Sequence, residues 1–447
     1  MKSLIHRGLV YMLAVLFVTA AVLPQAAKVE AAEPPLDLEA PSAILVDAET
    51  GKVLFAKKAD VPRSPASMTK MMAEYLILDA IKQGKIDWDS KVHINDYMYK
   101  LSQDNSLSGI PLLKSLTYSV EELYKAMAVY SSNAATIALG AKIYGNEEKF
   151  VEAMNQQAKE FGMKDTKFVN STGLNNSDLY GHIAKGGPNE ENQMSARDVA
   201  TLAYYLIKDH PNVLKYTGMP SAMFKKGLNQ PQKMRNWNEL VIPESPFYYE
   251  GADGLKTGHT SEAGYCLTAT AERDGMRLIS VVMKTDSEPA RFRQSAKLLD
   301  YGFENFKKVT LLENGYSPKN KKELPVTKGK TDSVSIETSK PIKLVIQEGT
   351  KKKYKPELTI DQSLLTKEGK LTAPVKKGKK VGTVKMVYSG EKPYDYLTKK
   401  SGEQGSVSVV TTGSVEKASW FALTMRGIGD FFSGLWTGLT DMVTGWF

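Results

Sequence analysis

The chain has 447 residues but only one cysteine, Cys266, so no intrachain disulfide can form. That residue sits in the strand-like stretch Tyr265-Cys266-Leu267 and reads as a small buried apolar side chain. Histidine is nearly as scarce. The five present are scattered, with no H-x-x-H or H-E-x-x-H pair, so neither a metal site nor any cofactor is expected. There is no nucleic-acid-binding motif and no dense arginine–aromatic patch, although the net charge is +9. The basic balance then points to acidic lipid or an anionic polymer rather than to nucleic acid. The lysine runs Lys321-Lys322, Lys351-Lys352-Lys353 and Lys376-Lys377-Gly378-Lys379-Lys380 read as solvated turns and strand edges. No apolar run is comfortably long enough to span a bilayer. The N-terminal one, Leu9 to Val22, follows Lys2 and Arg7 and precedes the small residues around Val29-Glu30-Ala31. That is the layout of an export signal over residues 1–31, with a retained anchor as the competing reading.

The chemistry concentrates in three short motifs. Ser67-Met68-Thr69-Lys70 places a serine and a lysine three apart, on one helix face, so the amine can reach the hydroxyl. A serine hydroxyl needs a neighbouring base to become a nucleophile, and a lysine serves if burial or a second cation lowers its pKa. Ser131-Ser132-Asn133 and Lys256-Thr257-Gly258 follow in that order. Two further S-x-x-K spacings, at Ser389 to Lys392 and Ser414 to Lys417, have no K-T-G after them and read as surface coincidence. An apolar-periodic stretch from Ala66 to about Gly84 puts Ser67 at a helix N-terminus, where free N–H groups favour developing negative charge. Val120 to Tyr130, opened by the capping-box pair Ser119 and Glu122, and Ala134 to Tyr144 read as helices, so the second motif is the loop between them. Asp253 to Thr260 reads as a strand in which Gly258 lets a ligand lie close against the backbone.

The three motifs approximate the S-x-x-K, S-D-N, K-T-G set of penicillin-recognising serine enzymes. The chain resembles the D-alanyl-D-alanine carboxypeptidases, low-molecular-mass penicillin-binding proteins, and is similar to their Gram-positive members over nearly its whole length. In that family the middle motif reads S-x-N, which Ser131-Ser132-Asn133 matches. Phe168 to Leu174 and Ser195 to Asp198 also resemble family segments. The resemblance implies an acyl-enzyme mechanism on peptidoglycan stem peptides, with β-lactams as inhibitors. It implies Ser67 as nucleophile, Lys70 as base and Ser131 as proton relay. Asn133 would bind the peptide, Lys256 and Thr257 the terminal carboxylate, and the backbone N–H groups of Ser67 and His259 the oxyanion. Gly258 belongs to the substrate-binding set, and so by resemblance does Arg291, for which a structural ion pair is the alternative.

The organisation follows the same texture. A hairpin at Glu49-Thr50-Gly51 opens an α/β catalytic domain over residues 40–306. Its helical segments include Glu147 to Phe161 and one starting at Ser195. Its later strands are Gly264 to Ala271 and Met276 to Met283, and Gln294 to Phe306 is a closing helix. The resemblance implies the β-lactamase/transpeptidase-like arrangement, an antiparallel sheet with a helical cluster. Residues 307–412 change to short valine- and isoleucine-containing runs, a small β-rich domain. From Trp420 to Phe447 an aromatic and aliphatic helix face opposes a polar one, and residues 414–447 read as an amphipathic helix lying on a membrane surface. The chain is therefore expected to be exported and held peripherally on the extracytoplasmic face of the membrane. A serine β-lactamase and a non-catalytic wall-binding receptor are the alternative functions.

Overall fold

A computed structural model describes residues 36–391, 393–398, 405–425 and 428. The expected export signal, and the terminal helix beyond residue 428, lie outside these residues.

The hairpin forms as β1 (Ser42–Asp47) and β2 (Val53–Lys57). Every residue of β1 is buried, which requires cover on both faces of the sheet. A 3-10 turn over Ala66–Thr69 leads into α1 (Lys70–Lys82), in which Lys70 to Leu78 are all buried. An almost wholly buried helix belongs at the centre of its domain. Next comes α2 (Val120–Tyr130), which starts at the predicted capping box: Ser119 accepts from Glu122 N and Glu122 from Ser119 N. Ser132 caps α3 (Asn133–Tyr144), and Asn146 caps α4 (Glu147–Phe161), which buries Phe150, Val151, Met154, Ala158 and Phe161 as its periodicity requires. Ser195 accepts from Asp198 N to start α5 (Ala196–Asp209).

The chain then returns to the sheet as β3 (Ala252–Thr260), β4 (Gly264–Arg273) and β5 (Met276–Thr285). Their order is β2-β1-β5-β4-β3, antiparallel throughout, with β3 at an edge. Ile44 and Val46 join the large core shared with α1 to α5, whereas Leu45 and Leu278 meet Gly302 of the closing helix, α6 (Glu288–Asn305). α6 begins six residues before the expected Gln294. Ser287 caps it and Pro289 stands in its first turn, where a missing N–H removes no helical bond.

The β-rich unit has its own apolar core. β6 (Phe306–Leu312) pairs with β9 (Ile342–Gln347). A six-stranded sheet combines β7 (Glu323–Thr327), β8 (Ser333–Thr338), β10 (Tyr354–Ile360), β11 (Leu371–Thr372), β12 (Lys380–Tyr388) and β13 (Ser406–Thr411) in the order β10-β12-β13-β8-β7-β11. Its packing runs past Thr412. The Val415 and Val375 backbones bond both ways at 2.8 and 2.9 Å, Ala418 N donates to Lys328 O, and both Val415 and Ala418 are buried.

One lysine pins the two units together. Lys52, in the β1–β2 turn, is 3% exposed. Its Nζ donates to Val345 O at 2.9 Å and to the Tyr354 hydroxyl at 2.8 Å, and lies 3.4 Å from the Tyr394 ring centre. Beside it, Val53 N donates to Asp395 O and Leu397 N to Gly51 O, and Arg197 binds both Asp60 and Asp395. Lys52→Met keeps the apolar stem but leaves a buried carbonyl and a phenol without their hydrogen-bond donor. It is expected to destabilise the chain by about 1–3 kcal/mol. Thermal unfolding and faster proteolytic cutting within residues 393–398 are the readouts.

Candidate active site

Two backbone distortions present the two motif serines. Ala66, just before Ser67, has φ +46°, and Ser131, which ends α2, has φ +62°. Non-glycine residues pay about 1–2 kcal/mol for the left-handed region, and such residues gather at functional sites. The Ser131 hydroxyl is buried and makes no hydrogen bond within the protein.

Lys70, the first residue of α1, has no exposed surface. Its Nζ donates to Ser67 Oγ at 2.9 Å, to Asn133 Oδ1 at 2.8 Å and to Thr172 O at 2.7 Å. Two of these partners are carbonyl oxygens, which only accept. The third is a hydroxyl, which can also donate. A neutral amine therefore satisfies both carbonyls with its two N–H groups and turns its lone pair toward Ser67. Burial pushes the Lys70 ammonium well below the ordinary lysine range, the Lys256 charge pushes it further down, and Glu74 opposes. Burial also lowers Lys256 and raises Glu74, while the charges of the two lysines pull Glu74 back down.

The supporting loop is built by two asparagines. Asn170 Oδ1 accepts from Thr172 N, Thr172 Oγ1 and Gly173 N, so the Thr172 carbonyl is held toward Lys70. Asn192 accepts from Val169 N and Asn170 N and donates to Thr69 Oγ1, tying the loop to the turn that carries Ser67.

Ser67, Ser131, Asn133, Thr257, His259 and Arg291 all line one cleft of about 400 Å³. Lys70 and Lys256 are buried beneath it. Lys256 and Thr257 are consecutive on β3 and so face opposite ways. The hydroxyl meets the cleft while the ammonium lies behind it, its nearest acceptor being Thr257 O at 3.3 Å. Arg291 lines the cleft, and its Nη2 pairs with Glu288 Oε1 at 2.5 Å. The His259 ring stacks on Tyr265, with ring centres 4.0 Å apart.

Residues 28–287 match the family described as D-alanyl-D-alanine carboxypeptidase. The chain belongs to that family. Residues 306–417 match the C-terminal domain of penicillin-binding protein 5. The D-alanyl-D-alanine carboxypeptidase DacF of Bacillus subtilis (strain 168) is 33% identical over 398 residues, 88% of this chain and 90% of its own length. DacA of Escherichia coli (strain K12) is 34% identical over 356 residues, 79% and 81% of the two chains. Among solved structures, the peptidoglycan synthesis regulatory factor (PBP3) of Streptococcus pneumoniae superposes with a TM-score of 0.72 at 35% identity. It covers 85% of this chain and 100% of that one. Penicillin-binding protein D2 of Listeria monocytogenes, in its cefotaxime-bound form, gives 0.51 at 33% identity over 60% of this chain and 99% of that one.

In this carboxypeptidase the glycine of the third motif has a packing role. A Cβ on Gly258 would lie 2.4 Å from Pro65 O and 3.3 Å from Ala66 Cβ and Met68 Cγ. The missing side chain makes room for the turn that carries Ser67. Gly173, at φ +82°, does the same from the other side, where a Cβ would come within 1.9 Å of Ala66 O. Glu74 and Trp237, which lines the cleft and is 40% exposed, escaped the motif search, whereas Gly173 and the Thr172 carbonyl lie in the family-like segment Phe168 to Leu174. Glu74, four residues after Lys70, is an acid inside an apolar helix. Among the described residues no cluster of three or more His, Cys, Asp or Glu side chains could hold a metal ion. Cys266 is buried and unpaired, its thiol pushed up to about 11 by burial.

Proposed function

We propose that this serine D-Ala-D-Ala carboxypeptidase acts on peptidoglycan stem peptides through an acyl-enzyme at Ser67. The observation that carries the assignment is the buried Lys70 amine, held by two carbonyl acceptors and 2.9 Å from Ser67 Oγ at the cleft floor. Ser67 Oγ attacks the carbonyl carbon between the two terminal D-alanines while its proton passes to Lys70. The backbone N–H groups of Ser67 and His259 hold the oxyanion. Ser131 relays that proton from Lys70 to the departing amine, so D-alanine leaves and the shortened stem stays esterified to Ser67 until water releases it. Asn133, which already donates to Ser108 O, has a second amide N–H for the peptide. Thr257 and Arg291 meet the terminal carboxylate, and Lys256 adds its charge from behind. A β-lactam takes the same first step: its ring opens and the acyl group stays on Ser67.

The division of labour along the chain follows. Residues 40–306 carry the chemistry, the β-rich unit runs on to about Ala418, and the terminal helix attaches the exported enzyme to the extracytoplasmic face of the membrane. Residues 420–425 are helical, and Trp420, Phe421, Met425 and Ile428 are exposed. Laying such a face in a bilayer interface gains roughly 25 cal/mol per Å² of apolar surface. Among the described residues no helix is long and apolar enough to cross a membrane.

A mature chain ending at Ser419 tests both parts. It is expected to be soluble, to release D-alanine from a pentapeptide ending in D-Ala-D-Ala, and to hold labelled penicillin as a persistent adduct. Binding without D-alanine release favours a receptor, and rapid loss of the label favours a β-lactamase. A truncated chain that still sediments with membranes places the anchor elsewhere.

A further inference from the structure

Glu74 is a fully buried carboxyl for which the chemistry above has no use. It lies one helical turn beyond Lys70 on α1, and neither of its oxygens makes a hydrogen bond within the protein. Burying an unbonded carboxylate is costly unless cations compensate it. Two do. Lys70, at i−4, shares its helix face, and Lys256 approaches from β3, so both lysine charges act on Glu74 and both feel it in return. From α2 the Tyr124 hydroxyl, also buried and without a hydrogen bond, feels the same carboxyl. Those three are the titratable groups that face it. Arg291 reaches only as far as Lys256.

We propose that Glu74 is a positioning residue whose negative charge sets the proton occupancy of Lys70 and Lys256. The inference rests on Lys70 being the acylation base. Two lysines and one carboxylate, buried together, are neutral when one lysine is uncharged. The buried site can then hold an ammonium at Lys256 and a free amine at Lys70 with no net charge. When Lys70 takes the Ser67 proton the trio becomes cationic, and the carboxylate steadies that state. Without it both ammonium groups are harder to keep: Lys70 is a weaker base, and Lys256 loses its proton at lower pH.

The sign of the effect follows. Acylation needs Lys70 neutral and Lys256 charged, so its rate falls off at acidic pH with the first and at alkaline pH with the second. Removing a negative charge that acts on both lowers both pKa values. In the mature chain, Glu74→Gln is therefore expected to shift both limbs of the penicillin-acylation profile to lower pH by a unit or more. Glu74→Met, which removes the charge without adding an amide, should shift them the same way. Glu74→Asp keeps the charge and should leave them within a few tenths of a unit. Thermal unfolding of each variant is recorded alongside, because a purely structural role lowers stability without moving either limb. Unmoved limbs in Glu74→Gln and Glu74→Met, or an aspartate variant shifted as far as they are, overturn the proposal. Lys70→Arg separates its failure from that of the base assignment. If that variant is slow to acylate while the glutamine profile stays put, Lys70 remains the base and Glu74 is structural filling.

Discussion

Lys70→Arg is expected to slow acylation by labelled penicillin by roughly 10²–10⁴-fold, the contribution of a positioned base. Arginine keeps the positive charge and can still donate to Asn133 Oδ1 and Thr172 O, but its guanidinium does not lose a proton in proteins. The comparison thus isolates proton acceptance from charge and from hydrogen bonding. Ser67→Ala should abolish covalent labelling altogether, because Ser67 is the serine hydrogen-bonded to the buried Lys70 amine. Stopped-flow acylation for the first variant and mass measurement of the adduct for the second are the checks. Near-normal acylation of Lys70→Arg would mean that another group takes the Ser67 proton.

Gly258→Ala should be nearly as damaging, although it adds one methyl group and touches no functional side chain. The added carbon would stand 2.4 Å from the Pro65 carbonyl, far inside contact distance, and backbone cannot swing aside as a side chain does. The β3 strand and the turn carrying Ser67 must then separate. A displacement of about 1 Å in a reacting group lowers rates by ~10²-fold, and overpacking of this kind destabilises by about 1–3 kcal/mol. The expected signature is slower acylation with the protein still folded, measured as acylation rate and unfolding temperature on one preparation. Wild-type acylation by Gly258→Ala would show that the turn has slack.

What was legible in the sequence was what is written locally. The capping box at Ser119 and Glu122, the single-faced apolar pattern of Glu147 to Phe161 and the hairpin around Thr50 each depend on residues a few positions apart. The motif serines and lysines are of this kind too, since Ser67 and Lys70 are neighbours on one turn. Contacts between distant segments are harder to read. Gly258 is explained by Pro65, and Lys52 by Val345 and Tyr354, partners far apart along the chain. Period-two alternation separates Lys256 from Thr257, but nothing in the strand itself says which face opens on the cleft. Glu74 was hidden because α1 is buried nearly all round, so an acid within it does not mark a solvent face. Pro289 concealed the first two turns of α6, since a proline tolerated in a helical first turn also suits a loop.

The Lys52 junction bears on where in the wall this enzyme can cut. The β-rich unit is gripped at Lys52 by buried bonds and paired backbone, and its chain leads on into the exposed apolar turn at Trp420. Were that turn laid on a bilayer, as proposed, the unit would work as a stiff pedestal rather than a tether. A tethered enzyme would sweep a hemisphere as wide as its linker allows. One on a pedestal works at a set height and tilt, trimming only those stem peptides that pass through a thin layer above the membrane. Loosening the joint would widen that layer and leave the intrinsic rate on a small peptide unchanged.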